Sequence, residues 1–163
     1  MIGTHTDVTK EVKIQHALEQ EQKMLEDLFE FSPTGIVIAS PKGEFLKVNQ
    51  AYCKITGRSE DDLLSKSYQD ITHPDDYERD KLKLKALING EIDGIQVKKR
   101  YIKPDGSYSW VQSIIVAFRD QHSEVEKLFV QVIDINDQYK KSQIITNTIE
   151  DIQGLLEKQN ENH

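Results

Sequence analysis

Residues 107–119 constrain the fold most, because they form a predicted strand with apolar side chains on both of its faces. The segment follows Pro104-Asp105-Gly106, a typical turn between antiparallel strands, and successive side chains of a strand point to opposite faces. One face carries Trp110, Ile114, Val116 and Phe118, and the other carries Val111, Ile115 and Ala117. A sheet that is apolar on both faces must be covered on both. Small helices can cover one face, and the other needs the N-terminal helix or a second subunit.

The surrounding pattern predicts an α+β fold, with a five-stranded antiparallel sheet and short helices on one of its faces. A longer helix begins at His73-Pro74, because proline suits a first helical turn, and ends at Asn89-Gly90. The buried stripe of this helix is predicted to be Tyr77, Leu84, Leu87 and Ile88. The predicted strands are 35–40, 44–48, 92–103, 107–119 and 124–134.

Two shorter helices are predicted in the middle of the chain, over residues 49–56 and 59–64. Gly57 ends the first of them. Ser59 caps the second, and the Asp62 carboxylate is predicted to reach back to the cap.

Amphipathic helices are predicted at both ends. Residues 10–30 contain no Gly or Pro, and apolar residues recur at helical spacing at Ile14, Leu18, Leu25 and Leu28. Near the other end, the alternation of four and three that defines a coiled-coil seam is carried by Ile145, Ile149, Ile152 and Leu156. Each helix is either a dimer-forming signal connector or a helix folded onto its own domain, and both alternatives stay open.

The ordered motifs of residues 31–136 resemble a PAS domain of the bacterial sensor type with its C-terminal PAC segment. Its "N-x-A-x-x-x-x-T-G" stretch matches residues 49–57, its "H-P-D-D" helix start matches 73–76, and its "D-G-x-x-x-W-V" hairpin matches 105–111. The closing "D-I-T" is similar to Asp134-Ile135-Asn136, with Asn in place of Thr. The resemblance implies the PAS fold, and it implies that these three residues couple the core to an output.

The resemblance also predicts a division of the chain. Residues 1–9 look like the end of a preceding PAS/PAC unit, with its last strand and closing motif, and Asp7-Val8-Thr9 is parallel to Asp134-Ile135-Asn136. Residues 10–30 are then a connector helix, 31–136 the PAS domain and 137–163 a C-terminal signalling helix. We therefore expect a middle piece of a multi-domain signalling protein such as a sensor histidine kinase.

Several function classes are disfavoured. The formal charge of −7 argues against nucleic acid as a partner, because phosphate binding needs a basic face. The lone Cys53 and scattered histidines give no metal-ligand spacing, and no phosphate-binding loop or nucleophile motif indicates an enzyme. No apolar run is long enough for membrane insertion. A cytoplasmic location is the simplest interpretation.

PAS domains can hold flavin, haem or other organic ligands. The flavin-binding light sensors carry a reactive cysteine at the start of the long helix, where residues 73–78 have none, and the haem-binding members use a histidine that residues 75–89 lack. No flavin or haem is therefore expected. His73 is interpreted as a cap, and the pocket holds either an unknown small organic ligand or side chains alone. The basic run Lys98-Lys99-Arg100, with Lys103, suggests either an anion site or a solvated strand. Because its charges alternate between strand faces, a solvated strand is favoured.

The predicted function is a sensor or relay domain that forms a homodimer and contacts neighbouring PAS and output domains. The change would pass through Asp134, Ile135 and Asn136 into the C-terminal helix. The alternative is a ligand-free dimerisation module without sensing activity of its own.

Overall fold

The structure is a computed structural model that describes residues 3–161, and the side chains of residues 8–161. It contains one five-stranded sheet and six helices within these residues. The strands are β1 (Gly35–Ala39), β2 (Phe45–Val48), β3 (Gly94–Ile102), β4 (Tyr108–Arg119) and β5 (Val125–Asp134). The helices are α1 (Gly3–Glu30), α2 (Gln50–Thr56), α3 (Glu60–Leu64), α4 (Tyr68–Ile71), α5 (Pro74–Ile88) and α6 (Asn136–Glu161).

The sheet is antiparallel throughout, in the order β2-β1-β5-β4-β3. β4 pairs with β3 through the predicted hairpin, with Arg100 opposite Trp110, and with β5, where Val111 lies opposite Asp134. This arrangement confirms the predicted α+β class and the five antiparallel strands. It also places the last residue of β5 beside the start of β4, where α6 begins.

Helices α2 to α5 pack on one face of the sheet, called the inner face below, and close the core over it. The core side chains from the strands are Val37, Ala39, Phe45, Val48, Ile95, Val97, Tyr101, Val111, Leu128 and Val132. Tyr52, Leu63, Ile71 and Leu87 meet them from the helices. Of the stripe predicted for α5, Leu87 is fully buried, whereas Tyr77, Leu84 and Ile88 are half-buried.

Local caps set the helix boundaries. Asn49 accepts a hydrogen bond from the Tyr52 amide at 3.1 Å and Ser59 accepts one from Asp62 at 3.1 Å, so both short helices begin where predicted. The Asp62 carboxylate does not reach back to its cap, because it pairs with Arg58 at 3.1 Å and Lys66 at 3.2 Å. That expectation was wrong, since two nearby cations compete for the same carboxylate.

Helix α5 is fixed at both ends. At its start, Asp76 binds Arg100 of β3, with 3.0 Å between Oδ1 and Nη2. At its end, the Arg119 guanidinium of β4 donates to the Leu87 carbonyl oxygen at 2.8 Å. Both strand arginines therefore hold α5 across the sheet.

The N-terminal helix starts earlier than predicted. Residues 3–9 are helical and continue directly into 10–30, whereas the sequence predicted the end of a strand there. A strand needs a neighbour to pair its backbone groups, and a helix pairs its own. Among the described residues, no strand pairs with this segment, so the helical form is the one observed. The assignment of 1–9 to a preceding unit stays a prediction.

The second face of the sheet, called the outer face below, is only partly covered. Val116 is 37% exposed, Phe118 53% and Ile133 38%. Helix α1 does not cover them, because its side chains from Val8 to Leu28 are exposed and it meets the domain at its last turn. There the Lys47 ammonium lies 4.6 Å from the Phe29 ring centroid, and Asn49 donates to the Phe29 carbonyl oxygen at 2.8 Å.

Candidate functional site

A small internal cavity of about 40 Å³ lies between α5 and the inner face of the sheet. A cavity of this size has room for about two or three water molecules. Its walls are mainly apolar, and they include Val37, Ala39, Phe45, Leu84, Ile95, Ile115, Leu128 and Val130. The polar side chains that line it are Tyr52, Tyr68, Asp80, Lys99 and Tyr101.

Lys99 is the unexpected member of this wall. Its side chain is buried, at 3% exposure, and burial lowers the pKa of Lys99 to about 8. The Nζ atom lies 5.6 Å from the Tyr68 ring centroid and 5.4 Å from that of Tyr101. No ion pair joins Lys99 to a carboxylate among the described side chains. This ammonium group therefore lies at the cavity between two aromatic rings, and the charges of Asp80 and Asp76 favour its protonated form without reaching ion-pair distance.

The predicted solvation of Lys98-Lys99-Arg100 was wrong for Lys99, although the predicted alternation of faces was right. Lys98 is exposed and Lys99 is buried. The sequence did contain a signal for this, because Lys99 shares its strand face with Val97 and Tyr101, both of which are in the core.

Asp80 of α5 is a second buried charged group on the cavity wall, at 5% exposure. Its Oδ1 accepts a hydrogen bond from Arg79 Nε at 2.9 Å, while its Oδ2 is buried without a hydrogen-bond partner. Asp80 stands four residues before Leu84, so the buried stripe of α5 continues through it. Sequence analysis missed this carboxylate because it assigned only apolar residues to the stripe.

Asp76 lies one turn before Asp80 and differs from it, because its carboxylate is fully paired. Arg100 donates to it from the backbone N at 2.8 Å and from Nε and Nη2 at 3.0 Å each. Although burial acts to raise it, these hydrogen bonds hold the pKa of Asp76 below its ordinary value. The neighbouring Asp75 is exposed instead, and its amide donates to His73 Nδ1 at 3.2 Å.

The three predicted coupling residues meet the start of β4. Ile135 is buried and donates its amide to the Trp110 carbonyl at 3.0 Å. Asn136 accepts from the Trp110 amide at 2.7 Å and donates to Ser109 Oγ at 3.0 Å. Asp134 accepts from the Asn136 amide at 2.9 Å. The junction between β5 and α6 is thus held to β4 by both backbone and side-chain groups.

An aromatic contact adds to this junction. The Tyr139 ring, in the first turn of α6, stacks on Trp110 with centroids 4.5 Å apart and an interplanar angle of 19°. Trp110 is part of the predicted hairpin motif, but no sequence signal indicates Tyr139 as its partner. The two residues are distant in sequence, and the stacking follows from the pairing of β4 with β5.

Close contacts lead from the cavity to this junction. Asp80 binds Arg79 at 2.9 Å, Arg79 lies 3.9 Å from Asp76 and Asp76 binds Arg100. The Arg100 guanidinium carbon lies 5.4 Å from the Trp110 ring centroid. We call this set the contact series; in order, its members are Asp80, Arg79, Asp76, Arg100, Trp110 and Tyr139.

The predicted dimer positions are all exposed in the single chain. Their side chains project from α1 and α6, which lack buried residues along these stretches. The exposed set contains Leu18, Leu25, Leu28, Ile145, Ile149, Ile152 and Leu156. Neither seam is folded onto its own domain, so that alternative is not observed in this structure.

Other candidate residues have structural surroundings. Cys53 is half-buried in α2, and burial raises its pKa. His73 is the N-cap of α5, as predicted. Within residues 3–161, no cluster of His, Cys, Asp and Glu has a metal-binding arrangement. In the same part of the chain, no helix is long and apolar enough to cross a membrane.

Comparisons with known proteins agree with this architecture. The family whose sequence model matches residues 45–130 is described as the PAS fold. The chain is 25% identical over 127 residues to the probable diguanylate cyclase DgcE of Escherichia coli K12, covering 78% of this chain and 12% of that protein. It is 25% identical over 146 residues to the sensor histidine kinase TmoS of Ectopseudomonas mendocina, covering 85% of this chain and 15% of that protein.

A solved structure is also similar. The crystal structure of a PAS domain from a two-component sensor histidine kinase is 26% identical, with a TM-score of 0.55 over 71% of this chain and 97% of that one. The match therefore includes nearly the whole of that solved PAS domain. It spans only a small part of the two curated signalling proteins.

Proposed function

This chain belongs to the PAS fold family, and we propose that it is a sensor or relay domain that transmits a change through α6 to an output domain. PAS domains of this kind occur in the signalling proteins that it resembles, which supports a sensor role. The change begins either in the cavity or in a neighbouring domain. Because α6 follows directly from the central sheet, it is the element through which the core and an output domain can act on each other.

The observation that carries the proposal is the attachment of α6 to β4. Asn136 makes hydrogen bonds with Trp110 and Ser109, and Tyr139 stacks on Trp110. Beyond this first turn, the side chains of α6 are exposed. A helix fixed at one end to a sheet moves with it, so a small shift in β4 changes the direction or register of the whole helix.

The contact series supports the cavity as a source of that shift. It joins a cavity wall residue, Asp80, to Trp110 through charged groups on α5 and β3. Spatial continuity alone does not establish coupling, and two arrangements with different ligand affinity are needed. We propose that these two arrangements differ in the position of α5 relative to β3.

A homodimer would cover the apolar surface that the single chain exposes. The outer sheet face leaves Phe118 exposed, and both terminal helices present apolar seams. An apolar seam with heptad spacing is stabilised by a second helix, and a second copy provides identical helices. We therefore propose that two copies associate through α1, α6 and the outer face, with neighbouring PAS and output domains in the same protein.

The alternative is a dimerisation module without a ligand, and one observation favours it. The cavity of about 40 Å³ is small, and the core around it is well packed. A neighbouring domain would then supply the signal. The two candidates share the junction and differ only in whether the cavity is occupied.

We also propose that the domain is not itself an enzyme, uses no flavin or haem, binds no nucleic acid and acts in the cytoplasm. The freshly purified protein should be colourless. A visible absorption band from bound flavin or haem would contradict this.

The function is tested by fusing this chain ahead of the kinase domains of a sensor histidine kinase and measuring autophosphorylation. We expect Asn136→Ala and Asp134→Ala to change the output while circular dichroism shows an intact core. Asp137→Ala, an exposed neighbour in the same turn, is the matched control. Output that is identical in all four proteins would overturn the proposed role of the junction.

A further inference from the structure

We propose that the cavity binds a small monoanionic hydroxy acid, with the ligand carboxylate on Lys99 and the ligand hydroxyl on Asp80 Oδ2. This inference rests on the proposed sensor function, since it names the ligand of the same domain. It is carried by two buried charged groups that line one cavity and lack polar partners there.

The first of these groups is the Lys99 ammonium. It has three N–H donors, and it lies beside the rings of Tyr68 and Tyr101. The Asp80 carboxylate is near enough to favour the charged ammonium, but no described carboxylate lies within 4.0 Å of it. A buried charge without a counter-ion and hydrogen-bond acceptors is costly. A carboxylate in the cavity would supply both.

The second group is Asp80. Arg79 binds its Oδ1, so one oxygen is satisfied, and Oδ2 is buried and unpartnered. An unpaired buried acceptor costs about 1–3 kcal/mol. A ligand hydroxyl would donate a hydrogen bond to it. Because Lys99 and Asp80 are not close enough to form an ion pair, a bridging group can lie between them.

Charge selects the anion over a zwitterion. Arg79 pairs with Asp80 and Arg100 pairs with Asp76, which leaves Lys99 as the one cation of these three without a carboxylate at ion-pair distance. Three cations and two carboxylates give this group a net charge of +1. Burial raises the pKa of Tyr52 and Tyr101, so both phenols stay neutral and add no charge. One net positive charge is matched by a monoanion. An amino acid would bring a second cation close to Arg79.

Size and wall chemistry limit the ligand further. About 40 Å³ admits only a few non-hydrogen atoms, and the remaining wall is aliphatic and aromatic. The Tyr68 ring closes one side, and it packs so tightly against Gly43 that a Cβ there would clash with the ring. The two- and three-carbon acids glycolate and lactate are the smallest that combine the required groups. Because both are larger than the closed cavity, the Tyr68 ring must move outward to admit either of them.

The test is a titration of the whole chain, followed by the amide and side-chain NMR shifts of cavity residues. Glycolate and lactate are the probes. Acetate lacks the hydroxyl, glycolamide lacks the charge, and glycine carries an ammonium in place of the hydroxyl. We expect glycolate or lactate to bind at least tenfold more tightly than acetate, glycolamide or glycine.

Variants locate the site. Lys99→Met should weaken glycolate binding at least tenfold, and Asp80→Asn should reduce the preference for glycolate over acetate. Lys98→Met, on the exposed outer face of the same strand, should bind as the parent does. Equal binding by the Lys99→Met and Lys98→Met variants would overturn the inference.

The ligand comparison on the unaltered chain needs no variant to fold. Absence of binding by either hydroxy acid at millimolar concentration, or tighter binding of glycine than of glycolate, would also overturn the inference. If neither hydroxy acid binds, the signalling role is still tested by the junction variants in the kinase fusion. Their output is measured independently of any ligand.

Discussion

The two faces of the central sheet are mismatched to their surroundings in opposite ways. The inner face buries a charged group, Lys99, within an apolar core, whereas the outer face exposes apolar side chains such as Phe118. Each mismatch is unfavourable in an isolated chain. The difference teaches that the two faces suit partners of different chemistry, and we propose a small polar molecule for the inner face and an apolar protein surface for the outer face.

The inner side of the sheet also has a paired carboxylate, Asp76, with which the unpaired groups can be compared. Asp76 is buried like Asp80, but it is fully bound by Arg100. Removal of one member of a buried, paired set leaves a buried charge without compensation. Substitution in the paired set, Asp76 and Arg100, should therefore lower the free energy of unfolding. Substitution of the unpaired charged groups should raise it.

The largest effect is expected at the matched pair. Asp76→Ala should lower the free energy of unfolding by about 3 kcal/mol, because it leaves Arg100 without its carboxylate. Urea denaturation measures the change. Asp75→Ala is the control, since the Asp75 side chain is 83% exposed and makes no buried pair. Equal stability of the two variants would show that the matched pair is not structural.

The second effect has the opposite sign. Lys99→Met should raise the free energy of unfolding by about 2 kcal/mol at pH 7, because it removes a buried charge and keeps an apolar side chain of similar length. The pKa of Lys99 is lowered by burial to about 8. Between that value and the ordinary lysine value, the unfolded chain binds more protons than the folded one.

Stability of the parent should therefore rise relative to the variant as pH increases above about 8. Parallel urea titrations at pH 7 and pH 9.5 measure this difference. A stability gap between parent and variant that stays constant or widens with pH would contradict the buried position of the ammonium.

A smaller effect is expected at the junction. Tyr139→Ala should weaken the first turn of α6 by about 1 kcal/mol, because it removes one stacked aromatic pair. Amide hydrogen exchange of the residues after Asn136 should become several-fold faster, while exchange in the core strands stays unchanged. Lys140→Ala, exposed on the same turn, is the control. Slow exchange in both variants would show that the stack does not hold the helix.

The smallest expected effect concerns the association of two copies through the outer face and the helix seams. The α6 seam of Ile145, Ile149, Ile152 and Leu156 extends back at the same spacing to Ser142 and Gln138. We expect a weak, concentration-dependent dimer, because these two polar residues supply little apolar burial and Gly154 interrupts the helix at a cost of about 1 kcal/mol. Leu25→Lys should dissociate the dimer more than Ile149→Lys. Sedimentation equilibrium across a concentration series measures both.

Gln20→Lys, a substitution outside the Leu18–Leu25 seam, is the control for added charge. A strict monomer at high concentration, or a dimer that neither seam variant affects, would remove the outer face from the proposed mechanism.

The sequence was sufficient for the fold because the fold depends on local signals. The Pro104-Asp105-Gly106 turn and the alternating strand around Trp110 define the β3–β4 hairpin, and caps such as Asn49 and Ser59 begin the helices. For the turn and the caps, neighbouring residues along the chain carry the information. Residues 134–136 were identified from the resemblance to the PAS family, and the structure shows that they are hydrogen-bonded to β4.

The cavity was less predictable, since its character depends on pairing between distant elements. Lys99 is buried because helix α5 covers its face of the strand, and Asp80 because its helix face turns inward at that point. A charged residue is normally assigned to solvent. The strand alternation that places Lys99 beside Val97 and Tyr101 was a signal in the sequence. The position of α5 over this face shows that both charged residues are exceptions.

The fastening of α5 at both ends has a mechanical consequence. Arg100 holds its first turn and Arg119 holds the carbonyl of Leu87 near its last. Because both of its ends are bound, α5 resists sliding along the sheet. It can still bend or rotate about its own axis. A molecule in the cavity beneath the middle of α5 would then push the helix away from the sheet. Arg100 would transmit the resulting rotation of α5 to the strand beside Trp110.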